Sequence, residues 1–266
     1  MHKQENPHQL SDILSGYGRV GIAFSGGADS SFLLKSALDV LGAGNVCILH
    51  AKSCLLTHKD NDQVDSWLLR HGYSADIVIH DIAFEPLSWR EFVLNSRDRC
   101  YLCKRRMYSL FLEFLECRGI VYLLDGTNID DLKDRRPGLR AIHELDVQTP
   151  LVEAGLGKHE IRQQSKTLRL DTYGLPASSC LATRLPTGLE ITRARLEKIS
   201  RWEQKIADLG FGGCRVKISS ESEKILHLQV MRVDLDRFLH SGIRDALVRY
   251  FKNQEIDKIF LDLEGR

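Results

Sequence analysis

The sequence predicts a doubly wound α/β fold with a parallel sheet, followed by a smaller α+β domain. In the first 165 residues, short apolar runs typical of buried strands alternate with segments of helical periodicity. A glycine-rich turn joins the first apolar run to the first long helical segment, and polar loops follow later runs. In sheets of this class the functional site lies beyond the carboxyl ends of the strands. These loops are therefore the candidate site.

The predicted elements follow one another in a regular order. Strands are expected at residues 20–24, 46–49, 75–79 and 120–124, and helices at 8–17, 32–41, 64–69 and 107–115. After residue 165, a loop-like stretch at 171–190 precedes a helix at 196–209, strands at 214–218, 225–230 and 258–263, and a helix at 244–250. We therefore divide the chain into a first domain, residues 1–165, and a second part, residues 166–266. The second part is a linker carrying Cys180 and a small α+β domain.

The composition limits the class to which this protein could belong. The 266 residues are 43% hydrophobic and 27% charged, which is ordinary for a globular chain. No apolar run has membrane-spanning length, and the polar N-terminus contains no signal-peptide core. A net charge of +1 points to neither nucleic acid nor a membrane surface as a partner. Seven cysteines without an export signal predict a cytoplasmic protein with reduced thiols.

The glycine-rich turn has the sequence SGGADSS and begins at Ser25. Backbone N–H groups of such a turn, with the positive end of the following helix, form an anion site. The expected phosphate ligands are Ser25, Gly26, Gly27 and Ser30. Both glycines are expected to allow positive φ and the close approach of a phosphate. A Walker-type loop is excluded, because Asp29 stands where that loop needs a lysine.

Three cysteines stand out from the other four. Cys100 and Cys103 form a C-x-x-C flanked by basic residues, and Cys180 lies in a polar, loop-like segment. A C-x-x-C alone is compatible with redox chemistry, half a zinc site, an iron–sulfur ligand pair or no function. Three thiolates could hold three irons of a [4Fe–4S] cube, or Cys180 alone could donate sulfur. The remaining cysteines are interpreted as structural, with Cys47 and Cys117 in the core.

A loop rich in carboxylates and arginines follows the predicted strand at 120–124. It runs from Asp125 to Arg140 and contains Gly, Asn and Pro, which mark a loop at the active end of the sheet. Arginine forks recognise carboxylate or phosphate, and carboxylates suit Mg²⁺. The loop is therefore predicted to bind an anionic substrate beside a magnesium ion. The candidate residues are Asn128, Asp131, Arg136 and Arg140.

Four segments together resemble one enzyme family. They are SGGADSS, NSRDRCYLCK from Asn95, GTNIDDLKDRRPGLRA from Gly126 and SSCLATRLPTG from Ser178. The combination resembles the LarE-type ATP-dependent sulfur transferases of the PP-loop N-type ATP pyrophosphatase superfamily, which have the adenine nucleotide alpha hydrolase-like fold. The resemblance implies that ATP adenylates the carboxylates of pyridinium-3,5-biscarboxylic acid mononucleotide, releasing pyrophosphate. Sulfur then replaces AMP, giving the thiocarboxylate ligand of the nickel-pincer nucleotide cofactor.

The resemblance also implies roles for particular residues. Asp29 would act catalytically by holding Mg²⁺ or pyrophosphate, and the expected cofactors are ATP, Mg²⁺ and a [4Fe–4S] cluster. Arginines at the positions of Arg184 and Arg215 would join the loop arginines in binding the anionic mononucleotide. Cys100, Cys103 and Cys180 would ligate the cluster that ferries sulfide, or Cys180 would be sacrificed. Self-assembly into a hexamer is implied, and the sulfide source is not. Lys217 departs from the family pattern, where a second arginine is expected.

Other interpretations of the same motifs are a tRNA thiolase, an amidotransferase-type synthetase and a nucleotide-binding regulator without catalysis. A thiolase would bind tRNA through the basic run around Cys100, although no RNA-binding module is recognisable. A synthetase would need an ammonia source and none of the three cysteines. A regulator would bind nucleotide without releasing pyrophosphate.

Overall fold

A computed structural model describes residues 8–133 and 137–266 of the chain. The contacts divide the chain into two compact units. The first comprises the residues up to 53, 58–84 and 98–177, and the second comprises 54–57, 85–97 and 178–266. The predicted domain boundary at residue 165 stays a prediction. None of the helices in the described part combines the length and apolar character that a bilayer crossing requires.

The helices and strands are named in chain order. The strands are β1 (Val20–Ala23), β2 (Val46–Lys52), β3 (Ile79–Ala83), β4 (Tyr122–Leu124), β5 (Arg215–Ile218), β6 (Ile225–Gln229) and β7 (Lys258–Leu261). The helices are α1 (His8–Ser15), α2 (Ala28–Leu41), α3 (His58–Asp65), α4 (Trp67–Arg70), α5 (Arg90–Val93), α6 (Arg99–Glu116), α7 (Pro137–Glu144), α8 (Pro150–Glu153), α9 (Lys158–Thr167), α10 (Arg193–Asp208), α11 (Leu235–Leu239) and α12 (Ser241–Lys252).

The first unit is built on a four-stranded sheet in the order β3-β2-β1-β4, with every pair parallel. Alternate side chains of β2 enter separate apolar clusters: Ile48 packs with residues of α2, and Leu49 packs with residues of α6. Helices therefore cover both faces, which is why the strands are near-continuous apolar runs. The predicted doubly wound parallel sheet is confirmed. Its strand order reverses between β1 and β4, and the loops after these two strands meet there.

One strand was predicted at the wrong place. The apolar run at 75–79 predicts a strand there, but β3 spans Ile79–Ala83. This strand forms an edge, and its residues are half-buried or exposed, so apolar periodicity marks it weakly. Its position is set by pairing with β2, where Ile48 lies opposite Ile79 and the Lys52 ammonium contacts the Asp81 carboxylate at 2.8 Å.

The second unit contains a three-stranded sheet in the order β5-β6-β7. β5 pairs antiparallel with β6, and β6 pairs parallel with β7. One face is apolar and buried through Val216, Ile218, Leu226 and Leu228. Trp202 of α10 and Phe251 of α12 are likewise buried, with their rings edge to face at 6.0 Å. The opposite face carries polar and aromatic side chains and is half-buried or exposed.

The burial of the cysteines interpreted as structural agrees with the prediction for Cys47 but not for Cys117. Cys47 on β2 is buried, as expected of a core residue, and Cys214 is buried as well. Cys117 is exposed, so the prediction that it lies in the core is wrong. The reason is position: Cys117 follows Glu116, the last residue of α6, and so lies beyond Leu115, the last buried residue of that helix.

Candidate functional site

The glycine-rich turn lies between β1 and the first turn of α2. Gly26 has φ +73°, and a Cβ there would lie 2.9 Å from the Val64 side chain, so this position needs glycine. Gly27 has φ −76°, and the prediction of positive φ is therefore wrong for this residue. The Ser25 and Ser30 hydroxyls lie 3.0 Å apart, and the Ser25 N–H donates to the Ser30 hydroxyl. The turn leaves α2 without a side-chain cap, which leaves backbone donors for an anion.

The loop after β4 packs directly against this turn. Gly126 approaches so closely that a Cβ there would lie 3.0 Å from the Ser30 backbone nitrogen and 3.2 Å from the Asp29 carbonyl carbon. Two residues later, the buried Asn128 amide donates to the Asp29 carboxylate at 3.2 Å. The side-chain oxygen of Asn128 accepts from the N–H groups of Asp130 and Asp131. The topology thus joins two motifs that lie 99 positions apart.

Gly126→Ala is expected to weaken ATP binding, because the added methyl group would push on backbone atoms that cannot rotate away. We expect a destabilisation of about 1–3 kcal/mol and a clear rise in the KM for ATP. The matched control is Gly44→Ala, since a Cβ at Gly44 would meet no atom within 4 Å. Urea unfolding and ATP titration of both variants measure the effect. Equal behaviour of the two variants would contradict the close packing.

Two carboxylates share the edge of the site. Burial, and then the charge of Asp131, raise the pKa of Asp29 to about 6. The Lys158 ammonium contacts the Asp131 carboxylate at 3.0 Å, and its charge partly offsets the repulsion. Asp131 is itself 7% exposed. A buried carboxylate whose ionised form is disfavoured gains most from a nearby cation, and oxygen donors suit Mg²⁺. The residues present therefore fit a magnesium ion.

A buried polar group connects the start of this loop to helix α6. The Asp125 carboxylate accepts hydrogen bonds from the hydroxyls of Tyr108 and Thr127 and from the Thr127 N–H. The Lys104 ammonium lies 3.6 Å from the same carboxylate. Lys104 and these hydrogen bonds hold the pKa of Asp125 below its usual range despite the burial. Asp125 therefore stays ionised and fixes the loop to the helix that carries the C-x-x-C.

The C-x-x-C lies near the start of α6. Cys100 and Cys103 are three residues apart on this helix, on neighbouring positions of one face, and both are half-buried. The Arg99 guanidinium lies 3.5 Å from the Cys100 sulfur. Within residues 8–133 and 137–266, the structure gathers no group of three His, Cys, Asp or Glu side chains that could hold a metal ion. Cluster ligation by these cysteines stays a prediction.

Cys180 lies in the second unit, where it caps the short 3₁₀ helix Leu181–Arg184. The Arg184 guanidinium is buried and forms a two-point ion pair with Glu203 of α10, at 2.7 and 3.2 Å. The same guanidinium donates to the Ser179 carbonyl and hydroxyl, and to the Thr183 hydroxyl. Arg184 therefore fastens the Cys180 loop to α10. The predicted contact of Arg184 with substrate stays a prediction.

A cluster of cations adjoins this loop. Burial, and then the charges of Arg266 and Arg184, lower the pKa of Arg215 to about 10. Burial and the same group of arginines lower the pKa of Lys217, two residues along β5. Glu203 lies in this group as the partner of Arg184, and its carboxylate also accepts the Val216 N–H at 2.9 Å. Such mutual repulsion among cations is relieved by an anion, and the predicted contact of Arg215 with substrate stays a prediction.

Of the two arginines predicted in the loop, the structure describes Arg140. Arg140 is exposed on α7, where its guanidinium lies 3.3 Å from the centre of the Tyr101 ring. It also pairs with the Glu144 carboxylate at 3.4 Å. Arg136 lies outside the described residues. The predicted substrate contacts of both residues stay predictions.

Sequence reasoning missed several residues of the site, chiefly Lys104, Tyr108, Lys158 and Glu203. Glu203 left a signal: it stands four residues after Ile199, on the apolar stripe of α10, where a carboxylate needs a buried partner. Lys158 and Tyr108 left none, because their partners come from other parts of the chain.

Comparison with known proteins finds several relatives of this chain. No family model matches the chain. A pyridinium-3,5-bisthiocarboxylic acid mononucleotide synthase from Lactiplantibacillus plantarum is 32% identical over 93% of this chain and 86% of the relative. An uncharacterised protein of Synechocystis sp. is 32% identical over 99% of this chain and 94% of its own length. One component of a glutamine-hydrolysing GMP synthase from Thermoplasma volcanium is 29% identical over 68% of this chain and 60% of the relative.

Proposed function

Because the chain belongs to the LarE-type family of ATP-using sulfur transferases, we propose that it makes pyridinium-3,5-bisthiocarboxylic acid mononucleotide for the nickel-pincer nucleotide cofactor. Its substrate would be the corresponding biscarboxylic acid mononucleotide. The observation that carries the proposal is the phosphate loop without a lysine, whose Asp29 is held by Asn128 beside Asp131. That arrangement suits cleavage of ATP between the α- and β-phosphates.

The first step activates a carboxylate. A bare carboxylate is a poor electrophile with a poor leaving group, so its oxygen attacks the α-phosphorus of ATP and pyrophosphate leaves. The loop from Ser25 to Ser30 would hold the departing phosphates through backbone N–H groups and hydroxyls. Asp29 and Asp131 would hold Mg²⁺, which neutralises phosphate charge when bound. Asn128 orients Asp29 for this role through its 3.2 Å hydrogen bond.

The second step delivers sulfur to the acyl adenylate and releases AMP. Cys180 is the residue we assign to this step, since it lies in a loop fixed by Arg184 and not in a core. In our preferred version Cys100, Cys103 and Cys180 would hold a [4Fe–4S] cluster, which would supply the sulfide that displaces AMP. In the alternative version the Cys180 thiolate displaces AMP and forms a thioester. Removal of the Cys180 α-proton then breaks the Cβ–S bond, which releases the thiocarboxylate and leaves dehydroalanine. Self-assembly, as a hexamer, belongs to the same proposal.

The anionic substrate suits the arginines. Arg215 belongs to the cationic group of the second unit, and Arg136, Arg140 and Arg184 are the further candidates. Guanidinium groups bind carboxylate and phosphate through two parallel hydrogen bonds, which suits the substrate's acidic groups, although Arg184 already makes one such pair with Glu203.

The test is a reaction under anaerobic conditions with ATP, Mg²⁺, the biscarboxylic mononucleotide and sulfide. We expect pyrophosphate and AMP in step with a product in which sulfur has replaced carboxylate oxygen, detected by mass spectrometry. Three parallel reactions address the other interpretations: tRNA in place of the mononucleotide, formation of GMP with ammonia, and ATP alone. Thiolated tRNA, amidated product, or nucleotide binding without pyrophosphate would each contradict the proposal.

A further inference from the structure

Helix α9 carries a side chain that holds the chain near the point where it leaves the first unit. The Arg162 guanidinium donates to the Tyr173 carbonyl at 2.9 Å and to the Leu175 carbonyl at 2.7 Å. The first unit ends at Ala177, and Cys180 follows three residues later in the second unit. One guanidinium therefore fixes the backbone of residues 171–175, which we call the exit segment.

The exit segment depends on polar side chains for its position. Its only regular structure is the 3₁₀ helix Asp171–Gly174, in which Thr172 is fully buried. The Asp171 carboxylate forms an ion pair with the Arg70 guanidinium and lies 3.2 Å from the His71 imidazole. A segment with so few anchors opens more readily than a helix or strand of the core, so the loss of one anchor has a measurable effect.

The chain between the exit segment and Cys180 is short and stiff at its start. Leu175 precedes Pro176, and its φ of −64° and ψ of 135° are the extended values that a residue before proline adopts. The pyrrolidine ring fixes φ at the next residue as well. Beyond it, Arg184 donates to the carbonyls of Ser179 and Cys180. A shift of the Leu175 carbonyl is therefore passed along the chain toward Cys180.

The other end of α9 is bonded to the loop that follows β4. The N–H of Lys158, the first residue of the helix, donates to the Asp130 carboxylate at 2.8 Å, and its ammonium contacts the Asp131 carboxylate at 3.0 Å. The packing is close, because a Cβ at Gly157 would lie 2.7 Å from the same Asp130 side chain. The loop that holds Asp29 is thus fastened to the start of α9.

Lys158 and Arg162 lie one helical turn apart on the same face of α9. The charges of both lower the pKa of Asp29, so this face lies near the carboxylate of the phosphate loop. A hydrogen-bonded helix moves as a rigid element, so a displacement at its start also moves Arg162. Contiguous contacts within the first unit therefore join the nucleotide loop to the exit segment.

We propose that Arg162 is a positioning residue for the sulfur step, which sets the path of the chain toward Cys180 according to whether nucleotide occupies the phosphate loop. ATP bound beside Asp29 and Asp131 places phosphate charge next to the Lys158 ammonium, and α9 transmits the resulting shift. The inference rests on the proposed function for its sulfur step. Without this anchor the acyl adenylate still forms, but water attacks it and returns the carboxylate and AMP. A misplacement of about 1 Å can cost about hundredfold in rate.

The first test needs no sulfur chemistry. Amide hydrogen exchange over residues 171–180 of the full chain is measured by mass spectrometry, with and without Mg²⁺ and α,β-methylene-ATP, an analogue that cannot release pyrophosphate. We expect the analogue to slow exchange several-fold in the wild type and to have no such effect in Arg162→Lys, which keeps the charge but loses the two-pronged donor. Gln163→Met, at the exposed neighbouring position of the same helix, is the matched control. All four residue types have similar helix propensity.

The second test measures thiocarboxylate and pyrophosphate in the same anaerobic reaction. We expect Arg162→Lys to lower the ratio of thiocarboxylate to pyrophosphate about tenfold, with the KM for ATP and the rate of pyrophosphate release within about twofold of the wild type. Gln163→Met should keep the wild-type ratio. A purely structural role would lower both products together and leave their ratio unchanged.

Three results would overturn the inference: exchange over residues 171–180 that ignores the analogue in the wild type, equal exchange of wild type and Arg162→Lys, or an unchanged product ratio in Arg162→Lys. Failure of the proposed function looks different, since the wild type would then form no thiocarboxylate although the analogue still slows exchange in an Arg162-dependent way. Conversely, thiocarboxylate formed by Arg162→Lys at the wild-type ratio keeps the function and removes the role of Arg162.

Discussion

Cys180→Ala is expected to abolish thiocarboxylate formation while ATP-dependent release of pyrophosphate continues. The phosphate loop that carries adenylation is built from other residues, whereas sulfur delivery has Cys180 as its donor or as a cluster ligand. Pyrophosphate and product are measured in the same anaerobic reaction. Cys117→Ala is the control, since Cys117 is exposed at the end of α6 and has no assigned role. Full sulfur transfer by Cys180→Ala would contradict the assignment and favour an amidotransferase-type enzyme.

The same variant separates the two versions of sulfur delivery. Iron and acid-labile sulfide are measured on anaerobically purified protein, with Cys100→Ala and Cys103→Ala beside Cys180→Ala. About four irons per chain in the wild type, lost in each variant, would support a cluster held by three thiolates. Absence of iron after reconstitution would leave Cys180 as a sacrificial donor. In that case Cys180 of the reacted wild type should become dehydroalanine, which lowers the mass of the residue by that of H2S.

The sequence predicts the central sheet well because buried parallel strands are apolar on both faces. β1, β2 and β4 follow from such runs, and the sheet-end rule predicts that the loops after β1 and β4 share a site. The position of β3 was predicted wrongly, because an edge strand with half-buried His80 and exposed Asp81 has little apolar periodicity. Helix α9 was also missed, since it buries only Ile161 and Ser165. Helices and strands that bury few apolar side chains are therefore hard to predict from their own sequence, and only their packing partners in the fold identify them.

The sequence predicts a site residue when the motif that identifies it lies within one segment. It does not predict a contact that two distant segments form. Asp29 and Cys180 follow from local motifs. The pairing of Asn128 with Asp29, and that of Glu203 with Arg184 beside Cys180, each joins distant segments and follows only from the fold.

Asp29→Asn is expected to remove pyrophosphate release and to stabilise the protein above pH 6. Loss of a magnesium ligand should lower the rate about hundredfold or more. The folded carboxyl has a pKa of about 6, raised from 3.8, so the folded state binds a proton between these values that the unfolded state lacks. Stability therefore falls as pH rises through that window. The loss amounts to about 1–3 kcal/mol, and the neutral amide avoids it.

The measurement is urea unfolding of wild type and Asp29→Asn at pH 4.5 and pH 8, with no nucleotide present. The two proteins should be nearly equal at the lower pH, and the variant more stable at the higher one. Asp39→Asn is the control, because Asp39 lies on the same helix and is exposed beside Lys35. In the wild type, kcat/KM for ATP should decline below about pH 6, since this parameter reports the pKa of groups in the free enzyme. Normal pyrophosphate release by Asp29→Asn would contradict the role of the loop, because no neutral amide replaces a carboxylate at a magnesium ion without loss.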